Sequence, residues 1–172
     1  MKKIALALLC VLGLQAADHD LYTHSVQVVG EYSFNSDDMY LKDGLGWGLR
    51  YAYNFDTVNP WEIGAVQFAF DYQFDEGYVV GGSSAVYRWG VNALWYADNP
   101  SDLTPFALLG LGAQFFTEEE HGVKDGLFGA VGGGVEYQLR GDLDLVGEGK
   151  FLYGGDESAF VTTIGFKYNF GQ

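Results

Sequence analysis

Large apolar side chains alternate with small or polar ones at a period of two along most of this chain. In the clearest segment, residues 45–55, rings and aliphatic side chains occupy every second position, and Gly48, Arg50 and Ala52 lie between them. This period places the two sets on opposite faces of a β-strand, whereas an amphipathic helix repeats every 3.6 residues. The pattern recurs over eight segments: 26–34, 45–55, 66–74, 87–95, 106–116, 127–139, 143–153 and 160–170. The sequence therefore predicts an all-β protein with eight antiparallel strands.

Two kinds of barrel fit eight alternating strands. A soluble, lipocalin-like barrel would turn the large apolar side chains inward, and a membrane barrel would turn them outward. The interior of an eight-stranded barrel has room only for closely packed side chains, so it cannot hold five or six large groups from every strand. Glycine and alanine lie on the opposite parity, which suits a crowded interior. We therefore expect an up-and-down transmembrane β-barrel with its aromatic face toward lipid.

The first 17 residues have the composition of a secretory signal peptide. Lys2 and Lys3 precede an apolar run over residues 4–14, and Ala16 and Ala17 suit signal-peptidase cleavage. Residues 1–17 are thus expected to be removed, which leaves a barrel domain over residues 18–172. The alternative is lipidation of Cys10, although Ala7-Leu8-Leu9 before it is a poor lipoprotein motif.

The mature chain is strongly acidic. Without Lys2 and Lys3, 7 basic residues remain against 23 acidic ones, a net charge of about −16. This balance disfavours a nucleic-acid partner, because phosphate contacts require a basic patch. No cofactor and no metal site is predicted. After the signal peptide, no apolar run approaches the ~20 residues of a transmembrane helix.

The connections between strands are of two kinds. Short turns are expected at residues 56–60, 97–102 and 139–142, and acidic loops at 35–44, 75–82, 117–125 and 154–158. Because barrels of this kind place the N-terminus and short turns in the periplasm, the acidic loops are assigned to the cell exterior. Their carboxylates are interpreted as a solvated rim, and the alternative is divalent-cation bridging to lipopolysaccharide phosphates. The loop acids are Asp37, Asp38, Asp43, Asp75, Glu76, Glu118, Glu119, Glu120, Asp125, Asp156 and Glu157.

Charged residues also occupy the inward parity of the strands. The predicted interior ion-pair network comprises Glu31, Arg50, Asp71, Arg88, Glu136, Glu148, Lys150 and Lys167, with Asp144 as a fifth acid. Hairpin geometry predicts that Asp71 lies opposite Arg88 and that Glu31 lies diagonal to Arg50. One interpretation is a structural plug, since unpaired charges in a narrow barrel would be costly. The other is a gate in which Arg50 or Lys150 exchanges acidic partners and opens a narrow ion path.

The last strand carries a family resemblance. Residues 163–170, with Thr163, Gly165, Tyr168 and Phe170 at the characteristic spacing, resemble the terminal signal strand that the barrel assembly machinery reads. With a signal peptide and seven preceding strands, the mature chain is similar to small barrels of the OmpA and OmpX type. The resemblance implies a monomer in the outer membrane, with membrane lipid, lipopolysaccharide and the assembly machinery as partners. Many OmpA-like proteins continue into a peptidoglycan-binding domain, and the resemblance leaves that function open.

Three classes of function follow from this resemblance. The first is a structural, envelope-anchoring barrel, with a narrow ion pore as a variant, and the second is an adhesin or host-factor receptor of the OmpX type. The third, a lipid A-modifying enzyme, is disfavoured because a hydrolase of this type needs a histidine beside its nucleophile and a carboxylate. His24 adjoins Ser25 without an obvious carboxylate, and His19 and His121 lie outside the strands. The residues 132–134, all glycine, lie within a strand and are not read as a phosphate loop.

Overall fold

The chain forms eight strands and the expected all-β architecture is confirmed. The computed structural model describes residues 22–35, 43–55, 62–77, 83–97, 102–117, 125–154 and 157–171. The strands are β1 (His24–Asn35), β2 (Gly44–Asn54), β3 (Ala65–Gly77), β4 (Ser83–Tyr96), β5 (Leu103–Phe116), β6 (Gly126–Arg140), β7 (Leu143–Gly154) and β8 (Glu157–Phe170). In this part of the chain no helix is both long and apolar enough to cross a membrane.

Each strand pairs antiparallel with the next, and β1 pairs with β8, so the sheet closes into a barrel. Following paired residues once around the barrel from His24 leads back to β1 at Phe34, ten residues further along. This stagger requires the strands to tilt against the barrel axis, typically by about 35–45°. Closure satisfies the backbone hydrogen bonds within the sheet, which a lipid environment demands.

The outer surface of the barrel is apolar. Leu127 is 78% exposed and Leu111 is 74% exposed, and rings from all eight strands project the same way. Tyr87 and Trp95 on β4 are eight residues apart, which corresponds to roughly 26 Å along the strand and roughly 20 Å along the barrel axis after tilting. A bare apolar band of this height would be unfavourable in water, and the fold is that of a transmembrane barrel.

Glycines on the inner face make room for large side chains from the neighbouring strands. A Cβ atom added to Gly134 would lie 2.7 Å from the ring of Phe106, and one added to Gly112 would overlap the ring of Phe128. At Gly48 an added Cβ would overlap the carboxylate of Asp71. Inward-facing rings and charged groups therefore pack over the glycines that alternate with the large apolar residues in the sequence.

The interior also holds large apolar side chains that the outward-facing aromatic pattern did not lead us to expect. Phe106, Leu108 and Phe128 all face the lumen and are almost fully buried, together with Leu94 of β4. On β5, Leu109 and Leu111 face outward while Leu108 faces inward, so leucines occupy both faces of this strand. The physical reason is volume: the glycines of β5 and β6 leave space that these side chains fill.

Candidate functional site

The inward-facing charges are the strongest candidate for a functional site. The structure places all eight residues of the predicted network, and Asp144, in the lumen, where none is more than 8% exposed. They form two groups at different depths. We name the first the central cluster, which consists of Glu31, Arg50, Asp71, Arg88, Glu148 and Lys150. We name the second the terminal cluster, which consists of Glu136, Asp144 and Lys167 with the polar residues Tyr96 and Asn169.

Asp71 is the hub of the central cluster. Lys150 Nζ donates a hydrogen bond to one carboxylate oxygen of Asp71 at 3.1 Å, and Arg50 forms an ion pair with the other. Lys150 also lies 3.5 Å from Glu148, and Arg88 lies 3.5 Å from Glu31. Three acids thus balance three bases, so the central cluster has no net charge when all six groups are ionised.

The pairing differs in part from the sequence-based expectation. Asp71 is the register partner of Arg88, as expected, but its ion pairs are with Arg50 and Lys150. The prediction that Glu31 lies diagonal to Arg50 is wrong: Gln27 is opposite Arg50, four residues from Glu31. In so narrow a lumen, a long side chain reaches across the barrel as easily as along its wall, so partners are not set by the neighbouring strand alone.

The terminal cluster lies at the end of the barrel that contains the β6–β7 turn. Lys167 Nζ is 2.5 Å from Glu136 Oε2 and 4.0 Å from Asp144 Oδ2, and it lies over the Tyr96 ring at 5.3 Å. Tyr96 donates a hydrogen bond to Glu136 at 3.4 Å, and Asn169 donates one to Asp144 at 2.7 Å. Two carboxylates share one ammonium group, and neutral donors supply the remaining contacts.

Tyr96 and Asn169 were not among the predicted site residues. Both lie on the inward parity of their strands, Tyr96 two positions from Leu94 and Asn169 two positions from Lys167. Parity would have placed them in the lumen, but it does not reveal their partners. Asp144 lies on the adjacent strand β7, diagonal to Asn169, whereas Glu136 lies on β6, two strands from Tyr96, and the curvature of the barrel brings that pair together.

Buried apolar side chains lie between the two clusters along the strands. On β7, Val146 lies between Asp144 and Glu148, and on β4, Leu94 lies between Asn92 and Tyr96. Both apolar side chains are at most 2% exposed and belong to one contiguous buried cluster. Beside Leu94, β3 and β4 contribute amides, and Asn92 donates a hydrogen bond to Gln67 at 2.9 Å. The lumen is therefore filled by layers of different chemistry.

The central cluster retains unused hydrogen-bonding capacity. Both carboxylate oxygens of Glu31, one of Glu148, and two guanidinium nitrogens of each arginine are buried without a hydrogen-bond partner in the described protein. Buried polar atoms of this kind usually bond to ordered water. Ordered water is therefore expected to bridge these donors and acceptors within the central cluster.

The described residues include no group of three or more His, Cys, Asp or Glu side chains arranged to hold a metal ion. His24 and Ser25 lie on opposite sides of the wall: Ser25 is buried in the lumen, whereas the His24 ring packs outside against Phe170. The neighbours in sequence thus do not form a nucleophile–base pair.

Several predicted features lie outside the described residues. They are the signal peptide (1–17), His19, His121, and the loop acids Asp37, Asp38, Glu118, Glu119, Glu120 and Asp156. The side chains of Asp75, Glu76 and Glu157 are likewise outside the description. Of the remaining loop acids, Asp125 accepts a hydrogen bond from the backbone nitrogen of Phe116 at 2.8 Å, which ties the residue before β6 to the end of β5.

The four residues of the predicted signal strand divide between the two faces of β8. Thr163 faces the lumen and Gly165 packs against Val29 of β1, while Tyr168 and Phe170 face outward. Phe170 stacks on Tyr168 at a centroid distance of 6.2 Å. The outward rings therefore form an apolar edge at the end of the last strand.

Solved structures with the same fold come from bacterial outer membranes. Neisserial surface protein A aligns with a TM-score of 0.63 and 17% identity over 86% of this chain and 97% of its own. Ail, the attachment invasion locus protein of Yersinia pestis, gives 0.60 and 19% over 87% and 100%. The outer-membrane enzyme PagL gives 0.55 and 12% over 83% and 99%. The chain has the fold of the small eight-stranded outer-membrane β-barrels.

At these identities the likeness concerns the fold alone. The chain matches no protein-family model and no curated protein. Assignment to the OmpA or OmpX type in particular stays a prediction from the residues of the terminal strand. Because this barrel fold carries an attachment protein and an enzyme alike, function must be argued from the side chains.

Removing the Tyr96 hydroxyl tests the terminal cluster. We expect Tyr96→Phe to destabilise the folded barrel by about 1 kcal/mol, because Glu136 loses a hydrogen-bond donor while the ring over Lys167 is kept. Urea unfolding in lipid vesicles measures the change. Tyr137→Phe, in which the ring faces outward, is the matched control. Equal midpoints for the two variants would show that the hydrogen bond contributes nothing.

Proposed function

We propose that the protein is an outer-membrane barrel that is closed at rest and serves the envelope as a structural, anchoring element. The observation that carries the proposal is the filling of the lumen: two charged clusters and an apolar layer occupy its cross-section, and the charged side chains are buried. A solute channel needs a hydrated, open interior, which larger barrels have.

The outer surface of the barrel supports the proposed location and partners. The apolar band of roughly 20 Å suits the bacterial outer membrane, which is thinner than average. Membrane lipid and lipopolysaccharide would then surround the barrel as its partners, and the apolar edge at Tyr168 and Phe170 supports recognition by the assembly machinery. The closed sheet has no free strand edge, which favours a monomer.

Permeability measurements test the closed state. Proteoliposomes that contain the wild-type protein are expected to swell in an isotonic sugar solution no faster than empty liposomes. Planar bilayers are expected to show no conductance steps beyond those of bare lipid. Sustained steps or rapid swelling in several independent preparations would contradict the proposal.

A narrow, switchable ion path is a second candidate, favoured by the position of Lys150. Its ammonium group lies between two acids, 3.1 Å from Asp71 and 3.5 Å from Glu148, and can move from one to the other. Arg50 limits this movement by holding Asp71 in place and by donating a hydrogen bond to the backbone oxygen of Phe70 at 3.2 Å.

We therefore expect Arg50→Ala to produce conductance steps in planar bilayers, since the substitution frees Asp71 on one side and removes a bulky group from the lumen. Arg140→Ala removes the same charge from a side chain that is 72% exposed beside a turn, and it should leave the wild-type trace unchanged. Silent bilayers for both variants would exclude the gate and leave the structural role.

A further inference from the structure

The lipid-facing wall contains an apolar groove that crosses β1 to β5. Its floor is the backbone of one register row, which runs through Gln27, Arg50, Ala69, Gly90 and Gly112. The side chains of Gln27, Arg50 and Ala69 point into the lumen, and the other two residues are glycines. No side chain therefore rises from the floor on the lipid-facing side. Outward side chains of the rows on either side form two ridges, with Phe70 and Trp89 on one and Phe68 and Val91 on the other.

The dimensions of the groove fit a flexible chain. Its floor spans four strand spacings, or roughly 19 Å, which slightly exceeds the ~15 Å half-thickness of a hydrocarbon core. Its two ridges are two residues apart along each strand, as Phe68 and Phe70 are on β3, so they lie roughly 6.6 Å from each other. A helix with its side chains is about 10–12 Å across. A partner helix is therefore too wide, whereas a single extended hydrocarbon chain is not.

A polar group lies at the β1 end of the groove. Tyr51 lines the groove, and its hydroxyl lies 2.8 Å from Nδ1 of His24, which projects outward at the start of β1. The imidazole is held between rings, 5.6 Å from Phe170 and 5.4 Å from Tyr53. When Tyr51 donates to Nδ1, the neutral ring carries its proton on Nε2 and can donate a second hydrogen bond.

We propose that the groove binds one acyl chain of a phospholipid whose phosphate accepts a hydrogen bond from Nε2 of His24. Two independent features support this occupant. The groove is apolar and narrow, which suits a single acyl chain, and Nε2 of His24 near its β1 end can donate a hydrogen bond to a headgroup at the membrane interface. The aromatic residues around His24 lie where amphipathic rings settle beside lipid headgroups. The bound lipid would thereby rest against the seam at which β1 meets β8.

Native mass spectrometry of the folded protein in a mild detergent tests the proposal, with phosphatidylethanolamine as the probe. We expect one lipid to remain bound to the wild-type protein through repeated detergent washes. His24→Phe keeps the aromatic stacking but removes the donor, and Phe68→Ala removes part of a ridge. Each variant is expected to lower the occupancy at least tenfold, while heat-modifiable gel mobility confirms that both fold.

Phe166→Ala is the matched control for Phe68→Ala, because the two rings are 56% and 54% exposed and only Phe68 lines the groove. The control should retain the lipid. Equal loss from Phe166→Ala and Phe68→Ala would show ordinary annular lipid and overturn the proposal. Retention of diacylglycerol as firmly as phosphatidylethanolamine, or preferential retention of lipid A, would also overturn it.

Discussion

Asp71→Asn is expected to destabilise the folded barrel by about 3–5 kcal/mol, because removing one member of a buried ion-pair network leaves its partners uncompensated. Asp71 is the carboxylate shared by Arg50 and Lys150, and both of these side chains are buried. Asparagine keeps the shape and removes the charge, so the central cluster would hold three bases against two acids. Urea unfolding in lipid vesicles, followed by tryptophan fluorescence, gives the free energy of unfolding.

A double variant separates charge from shape. Lys150→Met removes one of the two stranded cations, so Asp71→Asn with Lys150→Met should regain part of the stability lost by Asp71→Asn alone. An exposed pair serves as the control: Arg140→Ala breaks an ion pair with Asp142 at the surface and should cost at most about 1 kcal/mol. A loss below 1 kcal/mol for Asp71→Asn would mean that solvent already screens the cluster.

Gly112→Val is expected to destabilise the barrel by about 3 kcal/mol or more, or to prevent folding, because the inner wall has no space for a side chain there. A Cβ atom at this position overlaps the backbone oxygen of Trp89 on the neighbouring strand and lies 2.8 Å from an atom of the Phe128 ring. Phe128 could rotate away, but the strand backbone cannot move without breaking its ladder. The folded fraction after dilution from urea into vesicles, read from heat-modifiable gel mobility, measures the effect.

Gly147→Val provides the contrast, because it is the same substitution on the opposite face. An added Cβ at Gly147 has nothing within 4 Å, so this variant should fold with a stability within about 0.5 kcal/mol of the wild type. Together the two variants distinguish the steric role of an inward glycine from the general β-propensity of valine. Similar behaviour of the two variants would contradict the packing argument.

The interactions that Asp71→Asn and Gly112→Val would disrupt both stabilise the barrel and close its lumen. Both residues keep the interior filled. Asp71 holds two cations in the lumen, and Gly112 leaves the space that the Phe128 ring occupies. A barrel closed in this way resembles a protein core more than a channel, which supports the structural role proposed above. An adhesin or receptor function would depend on the outer loops and stays a prediction from the sequence.

The solved structures with this fold differ in function. Neisserial surface protein A and Ail align with nearly the same share of this chain as PagL does, although PagL is an enzyme. The shared element is the barrel wall, whose alternation is dictated by lipid on one side and a packed lumen on the other. At identities of 12–19% most positions differ between these proteins, so the shared fold does not tell which residues carry a function.

The strand order, the membrane-facing parity and the inward position of the charged residues could all be predicted from the sequence. They follow from a local rule, because successive side chains of a strand point to opposite faces. Arg50 and Asp71 were assigned to the lumen by this rule, and both are buried there. Phe106 and Phe128 obey the same alternation, but both are buried in the lumen, so the expectation that large apolar side chains face lipid is wrong for them. Hydrophobicity alone does not tell whether a ring faces lipid or a glycine-lined cavity.

The sequence by itself thus determined the fold and the two chemical faces of its wall. Only the closed barrel decided the partners across the lumen. Strand β7 lies opposite β3 because the ring has eight strands, and the ten-residue stagger sets the height at which Lys150 meets Asp71, 79 positions apart in the chain. The same closure joins Tyr96 to Glu136 and aligns the apolar groove across five strands. Parity is a property of one strand, whereas these contacts depend on the curvature and shear of all eight.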